Sequence, residues 1–416
     1  MKKILISIFI IGSWAVAHAQ QPTLITLDKI LDEIDKNFPS IIRYQSNIEM
    51  IQARAEGAKA WMPPTLSSGL MRFPYKDFSM LKEEDPMNEA GISIAIEQMI
   101  PNSSKLNAKK TYLNSLAETE KSKREWTKNE LRREAKILYY NRYTTQKKQA
   151  VLKESRDLLN LLLSTAEAKF SNNQSQLQTI YKAKARLAEI NNMSLMLDGI
   201  IAESNIGLNT LMVQRVDTAF KIDTLIVPNN YAATTIDTAN VSTRSDIAAM
   251  TNSIASMKLQ QRAMKIGVRP DFGVRAEHMQ MLGMPNQWSL MGMITIPIVP
   301  WASKMYSSET KAMGFEIEAM EKEKETMTLM AQRMRSEKLI MLGYENAQYQ
   351  NFMNSLIPAY EDNLQANLLA YRQNTGDFFV LLDAWEMLLM KELEAYDKLF
   401  NILKLEADYE YENEIK

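Results

Sequence analysis

From Asn102 to Asp198 the chain runs 97 residues without a glycine or a proline. Nothing in that stretch turns a chain sharply or stops a helix, so it must be filled by very long helices that break only at polar turns. Just before it, the stretch from Gly91 to Met99 alternates too regularly to be helix. Ile92, Ile94 and Ile96 point one way and Ser93, Ala95 and Glu97 the other, which is the period of a strand. The same order of elements returns from Ile247 to the C-terminus, so the sequence reads as one unit written twice.

The first residues set the expected compartment. Lys2 and Lys3 precede an apolar run from Ile4 to Val16, and Ala17-His18-Ala19 offers the small residues of a signal-peptidase site. Residues 1–19 are therefore read as a signal peptide, with Gln20 as the mature N-terminus. The run is too short to span a bilayer, and no later stretch approaches the ~18 apolar residues a spanning helix needs. A membrane span, if present, has to be β.

The chain has no cysteine and two histidines, His18 and His278, of which the first leaves with the signal. Disulfides, thiolate metal sites and a lipid-modified N-terminal cysteine are thereby excluded, and imidazole-based catalysis has almost nothing to work with. No cofactor is expected, and no spacing of carboxylates singles out an acid–base pair. With 49 basic and 50 acidic residues and no basic patch, nucleic acid is not an expected partner.

Along the chain, Thr26 is expected to cap a helix from Leu27 to Lys36, and Ser40 a second running to Trp61 before Pro63-Pro64. Strands are expected at Thr65–Phe73 and Gly91–Met99, joined by a loop carrying Tyr75 and Phe78. After a second such helix, from Ser245 to Pro270, come Asp271–Met279, with Phe272, Val274 and Ala276 opposing Arg275 and Glu277, and Leu290–Val299, with Ile294, Ile296 and Ile298 opposing Met293 and Thr295. Lys59 to Pro64 aligns with Lys265 to Pro270, and Pro101-Asn102-Ser103-Ser104-Lys105 with Pro300-Trp301-Ala302-Ser303-Lys304. Each corner launches a helix, Ser103 to about Glu167 and Ala302 to about Tyr371, ~100 Å long at 1.5 Å per residue. Polar turns at Ser171 to Gln174 and Arg372 to Gly376 lead to return helices near 175–212 and 377–411. The organisation is thus a first repeat over 20–216, a Thr-, Asn- and Asp-rich linker over 217–242, and a second repeat over 243–416.

A β span in lipid must be closed, and four strands cannot close; the smallest such barrels use about eight. Pooling with copies of the same chain is the remaining solution, and a homotrimer gives twelve strands. Glu97, Arg275 and Glu277 would then line the lumen, and Ile92, Ile94, Ile96, Ile294, Ile296 and Ile298 would face lipid. Trp288 and Trp301 bracket the fourth strand and, with Tyr75 and Phe78, are expected near the bilayer interfaces. Met313, Met320, Met327, Met334 and Met341 recur every seven residues, with Met330 between them, as a packed helical seam would require.

These residues resemble the TolC family of trimeric outer-membrane efflux factors. The resemblance rests on Thr26-Leu27 with Asn37-Phe38-Pro39, Ser245-Asp246-Ile247, the two strand-proline corners, and Tyr371 to Gly376 followed by Val380-Leu381-Leu382-Asp383-Ala384. It covers nearly the whole mature chain. It implies a mainly α fold with membrane β: a trimeric twelve-stranded β-barrel, four strands per chain, continuous with a twelve-helix periplasmic α-barrel. It also implies an outer-membrane location with a long periplasmic extension, and a passive exit duct fed by an inner-membrane pump through a periplasmic adaptor. By position Asp383 is the implied channel-gate residue, while Val380 stands where a second acid often lies. The turns bearing Asn172 and Asn173, and Asn374 and Gly376, are the implied adaptor contacts.

Two readings stay beside this one. A soluble periplasmic helical scaffold or adaptor would use the strands as ordinary edges. At the hairpin between the third and fourth strands, His278, Met279, Met281 and Met284 offer imidazole and thioethers, soft ligands suited to Cu(I) or Ag(I), in a chain that is methionine-rich throughout.

Overall fold

The computed structural model describes residues 24–73, 75, 88–171, 176–229, 231, 243–297 and 299–415; the signal-peptide reading of 1–19 lies outside them. The elements are β1 (Leu24–Ile25), α1 (Leu27–Asn37), α2 (Pro39–Gly57), β2 (Thr65–Met71), β3 (Gly91–Ile100), α3 (Ser103–Ser171), α4 (Leu177–Leu211) and β4 (Lys221–Ile222). They continue with α5 (Ser245–Ile266), β5 (Asp271–Met281), β6 (Gln287–Thr295), α6 (Pro300–Asn351), a π-helical turn (Phe352–Leu356), α7 (Ile357–Arg372) and α8 (Phe378–Asn413). Among the described residues, no helix is long and apolar enough to cross a membrane.

The uninterrupted helix is present as the 69 residues of α3. Asn102 starts it: its Oδ1 accepts the backbone N–H of Ser104 at 3.0 Å, satisfying one of the otherwise orphaned first-turn donors. Its counterpart in the second half is not continuous. Pro358 lacks an N–H and its ring would strike the carbonyl four residues back, and the helix widens into the π turn of Phe352–Leu356 just before it. Helix α2 also starts differently from expectation. Pro39 occupies its first turn and Phe38 the extended cap position with no side-chain cap, so Ser40 lies inside the helix, which ends at Gly57 rather than Trp61.

The chain forms two compact units, each assembled from three stretches. The first contains residues 1–33, 138–227 and 359–400. Its core is a heptad seam: Leu152, Leu159 and Ala166 on α3, Ala183, Ile190 and Leu197 on α4, Leu364 and Tyr371 on α7, and Phe378 and Trp385 on α8 all recur at seven and all are buried. In the same unit β1 pairs with β4 in parallel, Leu24 with Lys221 and Ile25 with Ile222. Strand β4 lies within the stretch read as a linker.

The second unit, residues 34–137, 228–358 and 401–416, carries a four-stranded antiparallel sheet in the order β2-β3-β5-β6. Strand β6 is Gln287–Thr295, not 290–299: Pro297 cannot donate to a ladder, while the short hairpin, held by Asn286 Oδ1 accepting Met281 N–H at 3.2 Å, starts pairing early. Beside the sheet, α2 packs on α3 through Ile48, Ile51 and Ala117, and α5 packs on α6 through Ile247, Met327 and Ala331. The methionine stripe of α6 follows its sevenfold spacing only in part. Met313 is buried, but Met330 and Met341 are each 48% exposed. An α-helix drifts ~20° per heptad against a strict seven-residue repeat, so four heptads carry Met341 off the seam.

The C-terminal turns of α8 are buried in this unit although they carry Glu406, Asp408, Glu410 and Glu412. Lys136 Nζ bonds Glu410 at 2.7 Å, Tyr231 Oη donates to the other Glu410 oxygen at 3.0 Å, Lys338 bonds Asp408 at 2.7 Å, and Arg244 pairs with Glu412. Glu406 has no cationic partner among the described residues. Burial pushes its carboxyl up to about 8, with Glu410 adding to the shift and a hydrogen bond from the Asn229 backbone opposing it. A carboxyl whose folded pKa exceeds its unfolded value takes up a proton on folding, so stability is highest in acid and falls as pH rises from the unfolded value toward the folded one. Glu406→Gln is therefore expected to leave thermal stability near pH 5 about unchanged and to raise it near pH 9, at ~1.4 kcal/mol per unit of pKa shift removed. Thermal melts of both proteins across that range check this; parallel pH profiles would refute it.

Candidate functional site

The second unit presents the sheet. In register, Leu66, Ser68 and Leu70 of β2 lie opposite Ile96, Ile94 and Ile92 of β3, and these lie opposite Ala276, His278 and Gln280 of β5. On β6, Ile294, Leu290 and Trp288 face Phe272, Ala276 and His278. Strand alternation makes all of these one face. It is exposed: Leu66 is 73% accessible, Ile94 51%, Leu290 65% and Trp288 77%. Ile296 follows the end of β6 and is also exposed, and Ile298 lies outside the described residues.

The opposite face carries Ser93, Ala95 and Glu97 of β3 and Arg275, Glu277 and Met279 of β5, with Glu97 opposite Arg275 and Ala95 opposite Glu277. Arg275 Nη2 and Glu277 Oε2 stand 3.5 Å apart. Ala95 is 2% exposed. Gly273 leaves room for thioethers on this face: a Cβ there would meet Met99 Sδ at 2.6 Å and Met293 Cε at 3.1 Å. The two groups of sequence-predicted barrel residues thus segregate by face, with opposite chemistry. The proposed metal cluster does not converge. His278 lies on the apolar face across from Trp288, while Met279 and Met281 lie on the other, because neighbours along a strand alternate.

Where β5 begins, it is tied to the start of α3. Asp271 accepts the Asn102 backbone N–H at 2.8 Å and pairs with Lys105 at 2.7 Å, and Asn102 Nδ2 donates to the Pro270 carbonyl. The strand-to-helix corner is thereby fixed by the Asn and Lys of the Pro101–Lys105 motif. Trp301, at the other corner, is 80% exposed in the first turn of α6, and Tyr75 is fully exposed. Phe78 lies outside the described residues.

The first unit presents the turn between α7 and α8. Asn374 adopts a left-handed backbone with φ 59°, a conformation asparagine tolerates. Thr375 and Gly376 then donate N–H groups to the Ala370 carbonyl, each at 3.0 Å. Gly376 is required by space: a Cβ would lie 2.8 Å from the Ala370 Cβ and 3.0 Å from backbone. Lys169, in the last turn of α3, clasps this turn by donating to Asn374 Oδ1 at 2.7 Å and to the Tyr371 carbonyl at 2.8 Å, with its ammonium 3.9 Å from the Tyr371 ring centre. Asn172 and Asn173 lie outside the described residues.

Asp377 then caps α8 by accepting the Phe379 N–H at 2.6 Å. Asp383 is exposed in the second turn, between buried Leu382 and Ala384, and Val380 beside it is 54% exposed. Arg186 on α4 bonds Glu189 at 2.7 Å and Glu386 at 2.5 Å. That hydrogen bond to Glu189, then the charges of Glu386, Glu189 and Asp383, hold the guanidinium above its ordinary pKa. Asp383 contributes to the field on Arg186, with no hydrogen bond to it.

Sequence reading missed the Lys169 clasp and the apolar residues of β2. Leu66 and Leu70 are separated by Ser-Ser-Gly, so β2 alone carries too little alternation to mark a face; pairing with β3 supplies it.

No protein-family model matches the sequence, and no curated protein matches it at a significant level. Solved structures do match. The outer-membrane channel OprN superposes with a TM-score of 0.76 at 14% identity, covering 93% of this chain and 89% of that one. CusC, described in terms of folding and transmembrane channel formation, gives 0.76 at 11% identity, with 93% and 91% covered. The outer membrane protein VceC from Vibrio cholerae gives 0.73 at 14% identity, with 93% and 95% covered. With the exposed apolar sheet face and the long helices, these matches give the chain the TolC-like fold of the outer-membrane efflux channels.

Proposed function

We propose that this chain is the outer-membrane exit duct of a tripartite efflux or secretion system, passing substrate received from an inner-membrane pump through a periplasmic adaptor. The observation that carries the reading is the open sheet, apolar and exposed on one face and carrying small, charged and thioether side chains on the other. Both its edges, β2 and β6, are unpaired among the described residues. Open edges cannot stand in hydrocarbon. Strand direction alternates across β2-β3-β5-β6, so β6 of one copy meets β2 of the next antiparallel and the alternation closes in any ring of copies. Two copies would give eight strands, whose interior is filled by its own side chains. Three is the smallest number that leaves a lumen, lined by Glu97, Arg275 and Glu277. Helices α2 to α8 then form the periplasmic extension, the two sequence repeats supply equivalent halves of each chain's wall, and Trp288 and Trp301 sit near the two interfaces. Such a duct needs no catalytic residue. A soluble periplasmic scaffold would leave the same apolar face in water, which is costly over so large a patch.

The test is extraction of the mature chain from the outer-membrane fraction, with its mass and shape measured by light scattering and single-particle imaging. A trimeric hollow tube supports the duct; a soluble or monomeric particle overturns it.

In the same reading Asp383 forms a ring of three carboxylates at the narrow periplasmic tip, repelling anions and holding cations. Asp383→Ala is expected to leave trimer assembly intact while raising resting single-channel conductance severalfold in planar bilayers. Unchanged conductance and cation selectivity would remove Asp383 from the gate. The turn at 372–376, held by Lys169, and the segment carrying Asn172 and Asn173, which lies outside the described residues, are the proposed adaptor contacts.

A further inference from the structure

We infer that the sheet carries a binding site for a soft monovalent metal ion, Cu(I) or Ag(I), held by the thioethers of Met99 on β3 and Met293 on β6 above Gly273 of β5. Strands β2, β3, β5 and β6 carry six methionines, Met71, Met99, Met279, Met281, Met291 and Met293. Register puts every one of them on the face of Glu97 and Arg275, while the apolar face takes its bulk from isoleucine, leucine and aromatic side chains. Methionine used only as a filler, in a chain with 28 of them, would scatter over both faces. In the duct reading this face meets water, and barrel interiors are polar. A long apolar side chain there needs a reason.

Two of the methionines converge. Met99, Gly273 and Met293 form one rung across β3, β5 and β6. A Cβ on Gly273 would meet Met99 Sδ at 2.6 Å and Met293 Cε at 3.1 Å. The Cε of Met293 is bonded to its sulfur, so both thioether ends approach one point from opposite strands. Glycine inside a strand marks the close approach of another group, and here that group is a pair of thioethers. Both side chains are only half-buried, so an ion can reach them from the face. The pattern recurs at the other end of the sheet, where Met71, Gly91 and Met281 form a rung across β2, β3 and β5.

The donors select the ion. Thioether sulfur is neutral and polarisable, which suits Cu(I) and its congener Ag(I), whereas Mg²⁺ and Ca²⁺ demand oxygen. Two sulfurs are enough for a monovalent ion with a filled d shell, which accepts two-coordination. Charge agrees with this. Between the two rungs Glu97 and Glu277 outnumber Arg275, so the face is net negative and draws cations. His278 lies on the other face and takes no part. That the ion is cargo in transit rests on the duct reading; the site itself lies within one chain's sheet and needs no ring of copies.

The probe is Ag(I), added as the nitrate in chloride-free buffer to the full mature chain in lipid nanodiscs, with isotope-labelled methionine methyl groups followed by NMR. Met99→Leu and Met293→Leu conserve side-chain volume and assign the two resonances. Both methyls are expected to shift together and to saturate at one ion per chain, and each leucine variant should weaken binding about tenfold through loss of one of two donors. Gly273→Ala introduces no backbone strain, since no described glycine has a positive φ. Its Cβ displaces the flexible end of Met99, so it should weaken binding by a similar factor without changing assembly. Met330→Leu, 48% exposed on α6, is the control and should change nothing. Absence of a saturable shift at Met99 and Met293, or affinity indifferent to Gly273→Ala and Met99→Leu, overturns the proposal. Light scattering on the same sample separates the two readings: a trimer that binds no silver overturns the site and leaves the duct, and a monomer that binds it overturns the duct and leaves the site.

Discussion

Replacing Ile94 with lysine is expected to abolish assembly in the outer membrane. Ile94 lies mid-strand in β3, flanked in register by Ser68 and His278 on the apolar face, and is half exposed. In the proposed barrel that places it near the bilayer midplane, where a lysine facing lipid costs about 2–4 kcal/mol. Closure by three copies repeats the cost around the ring, giving a total of the order of a whole domain's stability. The matched control is Ser93→Lys, one residue away and on the opposite face, where the ammonium meets water and the change should be tolerated. Both variants are compared by the fraction of chain recovered from outer membranes as a folded oligomer on semi-native gels. Equal recovery of Ile94→Lys and wild type would mean that this face does not meet lipid.

The second large effect concerns the buried end of α8. Lys136→Met is expected to destabilise the second unit by about 3–5 kcal/mol, because it leaves Glu410 buried without its cation. Lys136 and Glu410 side chains are only 9% and 8% exposed and 2.7 Å apart. Asn229 and Tyr231 also donate to Glu410, at 3.3 and 3.0 Å, and those bonds lower the cost without replacing the charge. Lys136→Met with Glu410→Leu should recover most of the loss, since an apolar pair of similar volume in place of a buried ion pair is often neutral or better. Denaturant melts of the single and double variants measure the difference. A single variant as stable as wild type would show that this end of α8 is hydrated in the assembled protein.

These two predictions rest on different kinds of information. Ile94 was visible in the sequence because a strand's period of two writes its faces into consecutive residues, and Ile92 to Glu97 alternate without a break. The long α3 was equally legible, since a run lacking glycine and proline offers a helix no stop. The departures came where a single residue's stereochemistry competed with a pattern: Pro39 displacing Ser40 from the cap, Pro297 ending β6 early, and Pro358 following a widened turn in the second long helix. Lys136 and Glu410 could not be paired by inspection, being 274 positions apart. Nor could Lys169 and Asn374.

By itself, then, the sequence determined the element types, their order and the polarity of each strand face, because these follow from local backbone preference and short-range periodicity. Tertiary structure alone decided which side of α6 is covered by α5, and so which of its methionines are buried. It also decided that four acids of one helix end are buried, three of them paired with cations from other segments. Those outcomes depend on contacts between residues far apart in the chain, and no periodicity encodes them.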